Sequence, residues 1–413
     1  MGVVAQWKAL QSRQRHAFIA SFLGWTLDAF DFFLLIFVIH AIAQEFATDV
    51  KAVSIAVTLT LAMRPLGALV FGLLADRFGR RPVLMADILL FSVLELASAF
   101  APSLPVLLVL RAAFGFAMGG EWGIGASLAL ETIPSKLRGL ASGILQEGYA
   151  FGYLLAAVVY GTLFNFIGWR GMFVVGLLPA LLVLYIRRNV EESPAWQHAR
   201  QRPRRSLGAS LRGHWGLFFY VVILMTAFNF FSHGTQDLYP TFLQAQHKFA
   251  PGTVGVIAIV ANLGAITGGI LFGALSERIG RRRSISLAAL CSLAIVPFWA
   301  FASGPLLLGL GAFLMQMAVQ GAWGVIPAHL NELSPDEIRG TFPGFAYQLG
   351  NLLASANATI QAQIAEARGG NYAFALMVVA ATVAVAIVLL TTFGPEARGV
   401  AFGAARDEGT LSG

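Results

Sequence analysis

Long apolar runs recur along the whole of this 413-residue chain, and each can cross a lipid bilayer as a helix. Only 12% of the residues are charged, against roughly 25% in a soluble domain, and the mean hydropathy is +0.72. These features predict an all-α membrane protein with twelve transmembrane helices embedded in the bilayer. The predicted spans are 17–44, 52–74, 83–101, 105–131, 137–166, 169–188, 214–244, 252–276, 284–302, 305–331, 338–366 and 371–394.

Basic side chains are distributed unevenly between the two sides that these spans define. With the N-terminus inside, all but six of the 28 Lys and Arg residues fall on the cytoplasmic side, the pattern typical of cytoplasmic loops. The exceptions are Lys51, Arg170, Lys248 and Arg368 outside, and Arg64 and Arg111 within spans. We therefore predict a multi-pass protein of the cell (inner) membrane with both termini cytoplasmic. The net charge of +7 then reflects topology and not binding to nucleic acid.

The features of several other functional classes are missing from the sequence. The single Cys291 lies in an apolar span and provides no disulfide framework. No Gly-x-x-x-x-Gly-Lys-Ser/Thr loop is present to bind ATP. We expect no metal or other cofactor, because His233 and Asp237 have no further ligand at suitable spacing. The chain is therefore expected to be a secondary transporter driven by an ion gradient and not an enzyme.

The chain repeats itself at an offset of 201 residues. The loop 72–81, Gly-Leu-Leu-Ala-Asp-Arg-Phe-Gly-Arg-Arg, aligns with 273–282, Gly-Ala-Leu-Ser-Glu-Arg-Ile-Gly-Arg-Arg. The segment 131–139, from Glu131 to Gly139, aligns with 332–340, and Trp122-Gly123 aligns with Trp323-Gly324. We predict two pseudo-symmetric six-helix bundles, 1–188 and 214–395, joined by a cytoplasmic linker, 189–213, and followed by a cytoplasmic tail, 396–413.

The repeated loops combine tight turns with opposite charges at helix ends, as expected of a latch that closes the cytoplasmic side. The alternative is that Arg77, Arg80 and Arg81 only follow the positive-inside rule. The gating candidates are Asp76, Arg77, Arg80, Glu131, Glu277, Arg281 and Glu332.

The run from Asn229 to Thr241 places ionisable groups inside a predicted span, where each costs roughly 2.5–3.5 kcal/mol unless it faces a cavity or a site. The offset of about 201 aligns it with the first span, which carries Asp28 and Asp31. We therefore expect these two helices to form opposite walls of one cavity. The candidates for proton coupling are Asp28, Asp31, His233 and Asp237, each of which could instead make only helix-to-helix hydrogen bonds.

Arg64 is the only basic residue near the middle of a predicted span, and it is our first candidate for binding a substrate carboxylate. Its guanidinium has the planar geometry that suits bidentate binding and stays charged. The alternative is that Arg64 pairs with Asp28 or Asp31 to hold the bundle together. Arg111 is expected to organise helix contacts or a proton path.

The loop after the second span, its second-half copy and Arg111-x-x-x-Gly115 resemble the motifs of the major facilitator superfamily. The pattern Asn-x-x-Ser-His-x-x-Gln-Asp from Asn229 to Asp237, together with the segment 347–352, resembles the Jen family of lactate and pyruvate proton symporters. This resemblance implies substrate or proton roles for the following residues: Asn229, His233, Gln236, Asp237 and Asn351. The segments 24–31 and 120–123 are similar both to this family and to bacterial sialic acid symporters.

We therefore expect a monomeric symporter of H⁺ and a short monocarboxylate anion such as lactate or pyruvate, with alternating access to a central cavity. Na⁺ in place of H⁺ stays open, and the alternative substrate is sialic acid or another organic acid. A membrane-embedded enzyme would need a nucleophile or a metal set near His233, and a transceptor would typically have a long cytoplasmic tail. Further polar groups within spans are Glu121, Glu147, Gln348, Asn351 and Asn357, with Glu147 and Gln348 at equivalent positions.

Overall fold

The computed structural model of the chain describes residues 7, 10–201 and 207–402, and nearly all of them are helical. The helices are α1 (Ser12–Glu45), α2 (Val50–Phe78), α3 (Arg80–Ala99), α4 (Leu104–Met118), α5 (Glu121–Thr132), α6 (Arg138–Gln146), α7 (Gly148–Val175), α8 (Pro179–Asn189), α9 (Pro194–Ala199), α10 (Leu207–Leu211), α11 (Trp215–Gln236), α12 (Tyr239–Ala245), α13 (Pro251–Ile279), α14 (Arg281–Phe301), α15 (Pro305–Leu333), α16 (Phe342–Ala354), α17 (Asn357–Ala367) and α18 (Tyr372–Phe393). Residues 202–206 of the predicted linker and 403–413 of the predicted tail lie outside the described residues.

Ten described helical segments are long and apolar enough to cross a membrane. One of them, Ser135–Asn189, has 55 residues and contains two spans, because Gly168 breaks its helical path with φ 62° and ψ −174°. Another span consists of α16 and α17, which are separated at Ser355 and Ala356 and are each short. The prediction of twelve transmembrane helices in two six-helix bundles is thus confirmed.

The two halves repeat the same close helix packing. In the first half α2 crosses α4, and in the second half α13 crosses α15. A Cβ on Gly67 would collide with the backbone oxygen of Phe116, and a Cβ on Gly268 would collide with that of Met317. Both contacts are related by the 201-residue offset, so the repeat conserves a three-dimensional crossing that only glycine permits.

One end of the bundle carries the two Arg-rich loops and the described ends of the chain, and we name it the basic face. The halves join here, where α16 of the second half packs on α2 and α5, and α6 of the first half packs on α13 and α15. At this junction two tryptophans flank Tyr347. The ring centroid of Tyr347 lies 4.7 Å from that of Trp122 and 5.6 Å from that of Trp323. The halves are therefore locked together on the basic face, and the space between them lies toward the opposite face.

Candidate functional site

A cavity of about 320 Å³ lies between the two halves, on the far side of the junction at the basic face. Aromatic rings form much of the first-half wall, where Phe33 packs against Tyr149 at 5.2 Å and against Tyr153 at 4.9 Å between centroids. Polar groups form much of the second-half wall. Its polar lining residues are His233, Thr235, Gln236, Asp237, Asn262, Gln316 and Gln320.

His233 and Asp237 lie one helical turn apart at the end of α11, and both side chains are more than one-third exposed. The imidazole Nδ1 lies 3.2 Å from a carboxylate oxygen of Asp237, and Nε2 lies 3.3 Å from Oδ1 of Asn351. The structure therefore brings together three of the predicted residues in one hydrogen-bonded group. A histidine placed between a carboxylate and an amide oxygen is well arranged to hold a proton on both ring nitrogens.

Gln236 completes the predicted set on this wall. Its amide Nε2 donates to Oε1 of Gln316 at 2.7 Å, and Nε2 of Gln316 lies 3.2 Å from Oγ1 of Thr235. Sequence reasoning missed Asn262, Gln316 and Gln320. These three residues could have been found by the criterion that identified Gln236, because each is a polar amide in an otherwise apolar span.

The seventh span is interrupted beside this group. Helix α11 ends at Gln236 and α12 begins at Tyr239, with Pro240 in its first turn, where a missing N–H costs nothing. The interruption lies between Gly234 and Pro240, two residue types that weaken a helix. Freed backbone groups are tolerated because they border the cavity or bond to other helices, and Nε2 of Gln361 donates to the oxygen of Gly234 at 2.7 Å.

The first-half candidates lie behind the cavity wall, in the interior of their own bundle. Arg64 is 3% exposed, its Nη2 lies 3.7 Å from Oδ2 of Asp28, and it also contacts the sulfur of Met118. The observed geometry is thus the pairing that we considered as the alternative to carboxylate binding. Asp31 is fully buried as well, and neither of its oxygens meets a hydrogen-bond donor among the described residues.

Asn229 is also absent from the cavity lining. It is 3% exposed, and its Nδ2 donates to the backbone oxygen of Met225 at 2.8 Å. Glu147, at the junction of α6 and α7, does line the cavity, whereas its repeat partner Gln348 is buried within the second half and outside the lining. The run from Asn229 to Asp237 therefore presents only part of its polar side chains to the cavity.

Arg111 lies toward the opposite face and contacts helix α3. Its Nη2 lies 2.6 Å from Oε2 of Glu95 and 2.6 Å from Oγ of Ser98, and both charged side chains are fully buried. This contact ties α4 to α3, in line with one of the two expected roles of Arg111. Sequence reasoning missed Glu95, although a lone carboxylate in an apolar span is itself a signal.

The gating candidates form one charge cluster in each half at the basic face. In the first half Arg80 lies 2.9 Å from Asp76 and 3.1 Å from Glu131. In the second half Arg281 lies 3.1 Å from Glu277 and 2.9 Å from Glu332, at equivalent positions of the repeat. Arg77 is exposed, and its guanidinium stands 5.1 Å from the centre of the Phe78 ring.

These clusters also join the two halves. Asp76 accepts hydrogen bonds from the N–H of Gly340 at 2.8 Å and from the N–H and hydroxyl of Thr341. Its counterpart Glu277 accepts from the N–H of Gly139. A carboxylate at the start of a helix meets free N–H groups, so each half holds the other by a helix N-terminus.

Two arginines that sequence reasoning did not include make the cross-links reciprocal. Arg138 lies 3.0 Å from Glu332, and Arg339 lies 3.8 Å from Glu131. Both arginines were present in the repeated segments 131–139 and 332–340, so the repeat itself contained the signal. We use the name latch for the side chains that form the two ion pairs between the halves, together with the carboxylates of Asp76 and Glu277. The latch consists of Asp76, Glu131, Arg138, Glu277, Glu332 and Arg339.

The segment after α8 also contributes to the basic face. Glu192 accepts hydrogen bonds from the N–H groups of Arg80 at 3.0 Å and Ser193 at 2.8 Å, and Trp196 donates to the backbone oxygen of Asp76. Burial raises the pKa of the Glu192 carboxyl, and the backbone N–H groups lower it only in part. The linker thus supports the helix turn that carries Asp76.

The fold and the cavity between two locked halves define the class as a membrane transport protein and not an enzyme. The sequence profile of the Major Facilitator Superfamily matches residues 21–235 and again 222–411, and the chain belongs to this superfamily. The solved proton:xylose symporter XylE, bound to 6-bromo-6-deoxy-D-glucose, superimposes with a TM-score of 0.76 at 19% identity. That match covers 95% of this chain and 98% of XylE, and it shows the fold alone.

Two relatives are named as acid transporters. A "Carboxylic acid transporter protein homolog" from Saccharomyces cerevisiae is 30% identical over 379 residues, 84% of this chain and 61% of the yeast protein. The chain thus spans less than two-thirds of that relative's length. The "Sialic acid transporter NanX" of Escherichia coli is 29% identical over 396 residues, 94% of this chain and 96% of NanX.

Proposed function

We propose that this protein is a symporter that carries an organic acid anion together with H⁺. The observation that carries the proposal is the titratable pair of His233 and Asp237, which lines the cavity between the two halves at 3.2 Å. The names of the two relatives, which refer to carboxylic acids and sialic acid, support an anionic substrate. Because an acid anion and a proton together carry no net charge, one binding event can load both.

Charge compensation in the cavity favours His233 as the residue at which the proton and the substrate anion both bind. Among the described residues that line the cavity, no Lys or Arg is present, and His233 is the side chain that becomes cationic on protonation. An anion held next to Asp237 is repelled unless His233 carries its proton. Binding of the proton therefore favours binding of the anion, which is the linkage that symport requires.

Arg64 remains our proposed second anchor for the carboxylate. It already lies 3.7 Å from a carboxylate, that of Asp28, so a substrate carboxylate and Asp28 compete for one guanidinium. Protonation of Asp28 releases Arg64 to the substrate, and loss of the substrate returns it to Asp28. This exchange would assign proton coupling to Asp28, assisted by Asp31, and requires that Arg64 move toward the cavity.

The finer proposal is a short monocarboxylate such as lactate or pyruvate, and it rests on the polar run from Asn229 to Asp237. A second candidate is sialic acid or another larger organic acid. The cavity of about 320 Å³ favours this second candidate, since it lies in the range of pockets for drug-sized ligands, about 300–1,000 Å³. Its wall, with the amides of Gln236, Asn262, Gln316 and Gln320, also suits a substrate that carries several hydrogen-bonding groups.

The topology and the gate complete the proposal. We propose that the basic face is cytoplasmic, in the cell (inner) membrane, that the protein acts as a monomer, and that the domain boundaries are those predicted above. The structure then represents the state with its cytoplasmic side closed by the latch. Alternating access requires that the latch break while the two halves rock around the cavity.

The test is uptake of labelled lactate by the purified protein in proteoliposomes, with an imposed pH gradient, with an Na⁺ gradient, or with neither. We expect accumulation driven by the pH gradient alone and abolished by a protonophore. Competition by pyruvate, acetate and sialic acid then ranks the two substrate candidates. Accumulation driven only by Na⁺ would contradict proton coupling, and no uptake or competition by any of these acids would contradict acid transport.

A second arm tests the proton-coupling residues. The variants Asp28→Asn, Asp31→Asn and Asp237→Asn should each lose pH-driven accumulation while they keep exchange of labelled for unlabelled substrate. Retention of pH-driven accumulation by all three variants would refute a proton role for these carboxylates.

A further inference from the structure

Two carboxyl groups, Asp87 on α3 and Glu121 at the start of α5, belong to neither the cavity lining nor the latch. Both side chains are completely buried. None of their four carboxyl oxygens meets a hydrogen-bond donor among the described residues. Buried polar groups are normally satisfied, so this pair, like Asp28 and Asp31 on α1, calls for an explanation.

Both groups lie between the pair of Asp28 and Arg64 and the basic face. Asp87 follows Arg80 by seven residues and is thus about 10 Å along α3 from its basic-face end. Gly24, one turn before Asp28 on α1, leaves the space that the Glu121 carboxyl occupies, because a Cβ there would collide with Oε1 of Glu121. The Glu121 carboxyl therefore points toward α1, and the Asp87 carboxyl lies beside the start of α5, since a Cβ on Gly120 would be 3.2 Å from its Oδ1.

The charges around this pair do not balance if every acid is ionised. Among the described residues, the charged groups that act on Asp87 and Glu121 are Asp28 from α1 and Arg64 from α2. Two other buried cations of the bundle are held by other acids, Arg111 on α4 by Glu95 at 2.6 Å and Arg80 on α3 by Asp76 at 2.9 Å. Three acids thus share one guanidinium, and that guanidinium is already paired with Asp28.

An isolated ionised carboxylate in a low-dielectric interior is strongly unfavourable, so the neutral carboxyl is the form that such a position accommodates. With Arg64 and Asp28 both charged, the cluster reaches zero net charge when Asp87 and Glu121 each hold a proton. Both carboxyls are inaccessible to solvent in this closed structure, and separation of the halves at the latch would admit water to them.

We propose that Asp87 and Glu121 form a proton-release pair for symport, from which the transported proton leaves on the side of the basic face. When the two halves separate there, one carboxyl O–H of the pair breaks and its proton passes to water, which leaves a carboxylate. The proton held by Asp28 then moves to this carboxylate, and Asp28 returns as an anion to Arg64. One proton enters Asp28 and one leaves the pair in each cycle, and the inference rests on the proposed function.

The test compares two assays of the full chain in proteoliposomes, pH-driven accumulation and exchange of the transported acid. Asp87→Asn and Glu121→Gln imitate the protonated carboxyls, so exchange should persist, because it needs no release of a proton. Net accumulation should fall by about 100-fold, as expected for loss of a proton-transfer group. Exchange by the wild type should decline as the pH rises, whereas exchange by the variants should depend less on pH.

Ser92→Ala is the matched control on α3, because Ser92 is equally buried but donates only to the backbone of Ile88, and it should keep both activities. Asp87→Glu and Glu121→Asp keep a titratable group and should shift the pH at which exchange is half-maximal. These two variants test the inference even if the amide variants do not fold. Wild-type accumulation by the amide variants, joint loss of both activities in folded protein, or an unshifted pH profile in the acid variants would overturn the inference. If the wild type itself shows no pH-driven accumulation, the proposed function fails instead.

Discussion

At the scale of single residues, Arg64 affects both the stability of the first half and the proposed binding of the anion. It and Asp28 are both nearly inaccessible, at 4% and 1% exposure of their side chains. Removing one member of a buried ion pair leaves the other charge uncompensated, at a cost of about 3–5 kcal/mol. The residue thus links the stability of the bundle to the proposed binding of the anion.

We predict that Arg64→Ala and Arg64→Lys both abolish acid uptake, since alanine removes the charge and lysine lacks the planar geometry for bidentate binding. Arg64→Ala should also lower the thermal stability, which Asp28→Asn in the same chain should partly restore without restoring uptake. The control is Arg170→Ala, which removes an arginine from the exposed surface, where it pairs with Glu45 at 2.7 Å and donates to the backbone oxygens of Ala99 and Ala101, and it should keep uptake. Wild-type uptake by either Arg64 variant in proteoliposomes would refute the assignment of Arg64 to carboxylate binding.

At the scale of one element, the interrupted seventh span places its polar groups where a straight helix would not. Helix α11 ends directly after Thr235 and Gln236, and α12 restarts at Tyr239, whose hydroxyl donates to the backbone oxygen of Leu308 at 3.1 Å. The interruption therefore separates the His233 group from a segment anchored to α15. Such a joint can change its angle without disturbing either piece.

We predict that Pro240→Ala slows uptake, because alanine lacks the ring that prevents the helix from continuing through the interruption. The matched control is Pro297→Ala in the interior of the continuous helix α14, because Pro297 itself does not line the cavity, although Trp299 of the same helix does. That control should alter stability with little effect on the uptake rate. Equal uptake rates for wild type and Pro240→Ala would show that the interruption does not act as a joint.

At the scale of the whole molecule, the latch joins the two halves at the basic face, and we propose that it sets which side of the cavity is open. Asp76 accepts three hydrogen bonds from Gly340 and Thr341 of the other half, and these exist only while the halves touch at the basic face. Contacts present in one state and absent in the other set the balance between the two states. Hydrogen bonds to a charged group contribute about 1.5–3 kcal/mol each, so the latch has a large effect on this balance.

We predict that Asp76→Asn shifts the population toward the state that is open at the basic face, by about tenfold for each 1.4 kcal/mol lost. Spin labels are placed at the exposed positions 136 and 337, one on each half, in a chain in which Cys291 is replaced by serine. Double electron–electron resonance should then measure a longer distance between the two labels in Asp76→Asn than in the wild type. The control is Asp49→Asn, which removes the same charge at a helix N-cap on the opposite face and keeps an oxygen to accept from the N–H of Ala52. Identical distance distributions for wild type and Asp76→Asn would argue against the latch.

The repeat explains why the latch was largely predictable and the cavity was not. Glu131 and Glu332, like Arg80 and Arg281, appear twice at one offset, so their pairing could be inferred from the sequence. Asp87 and Glu95 occur once each, within spans that differ between the halves, and no pattern indicated which neighbours they face. Arg64 was predicted to face the cavity, but a helix has several faces and the sequence alone did not show which one meets the other half.

The sequence by itself determined the helices and their pairing into halves, because a bilayer requires long apolar helices and a duplicated sequence requires a duplicated fold. It also identified His233, Gln236 and Asp237 as polar residues that must avoid lipid. Only the tertiary structure decided that Arg64 pairs with Asp28 inside the bundle and that the latch is closed. Those outcomes depend on the rotation of each helix about its axis and on the relative position of the two halves, and both are set by packing between residues distant in sequence.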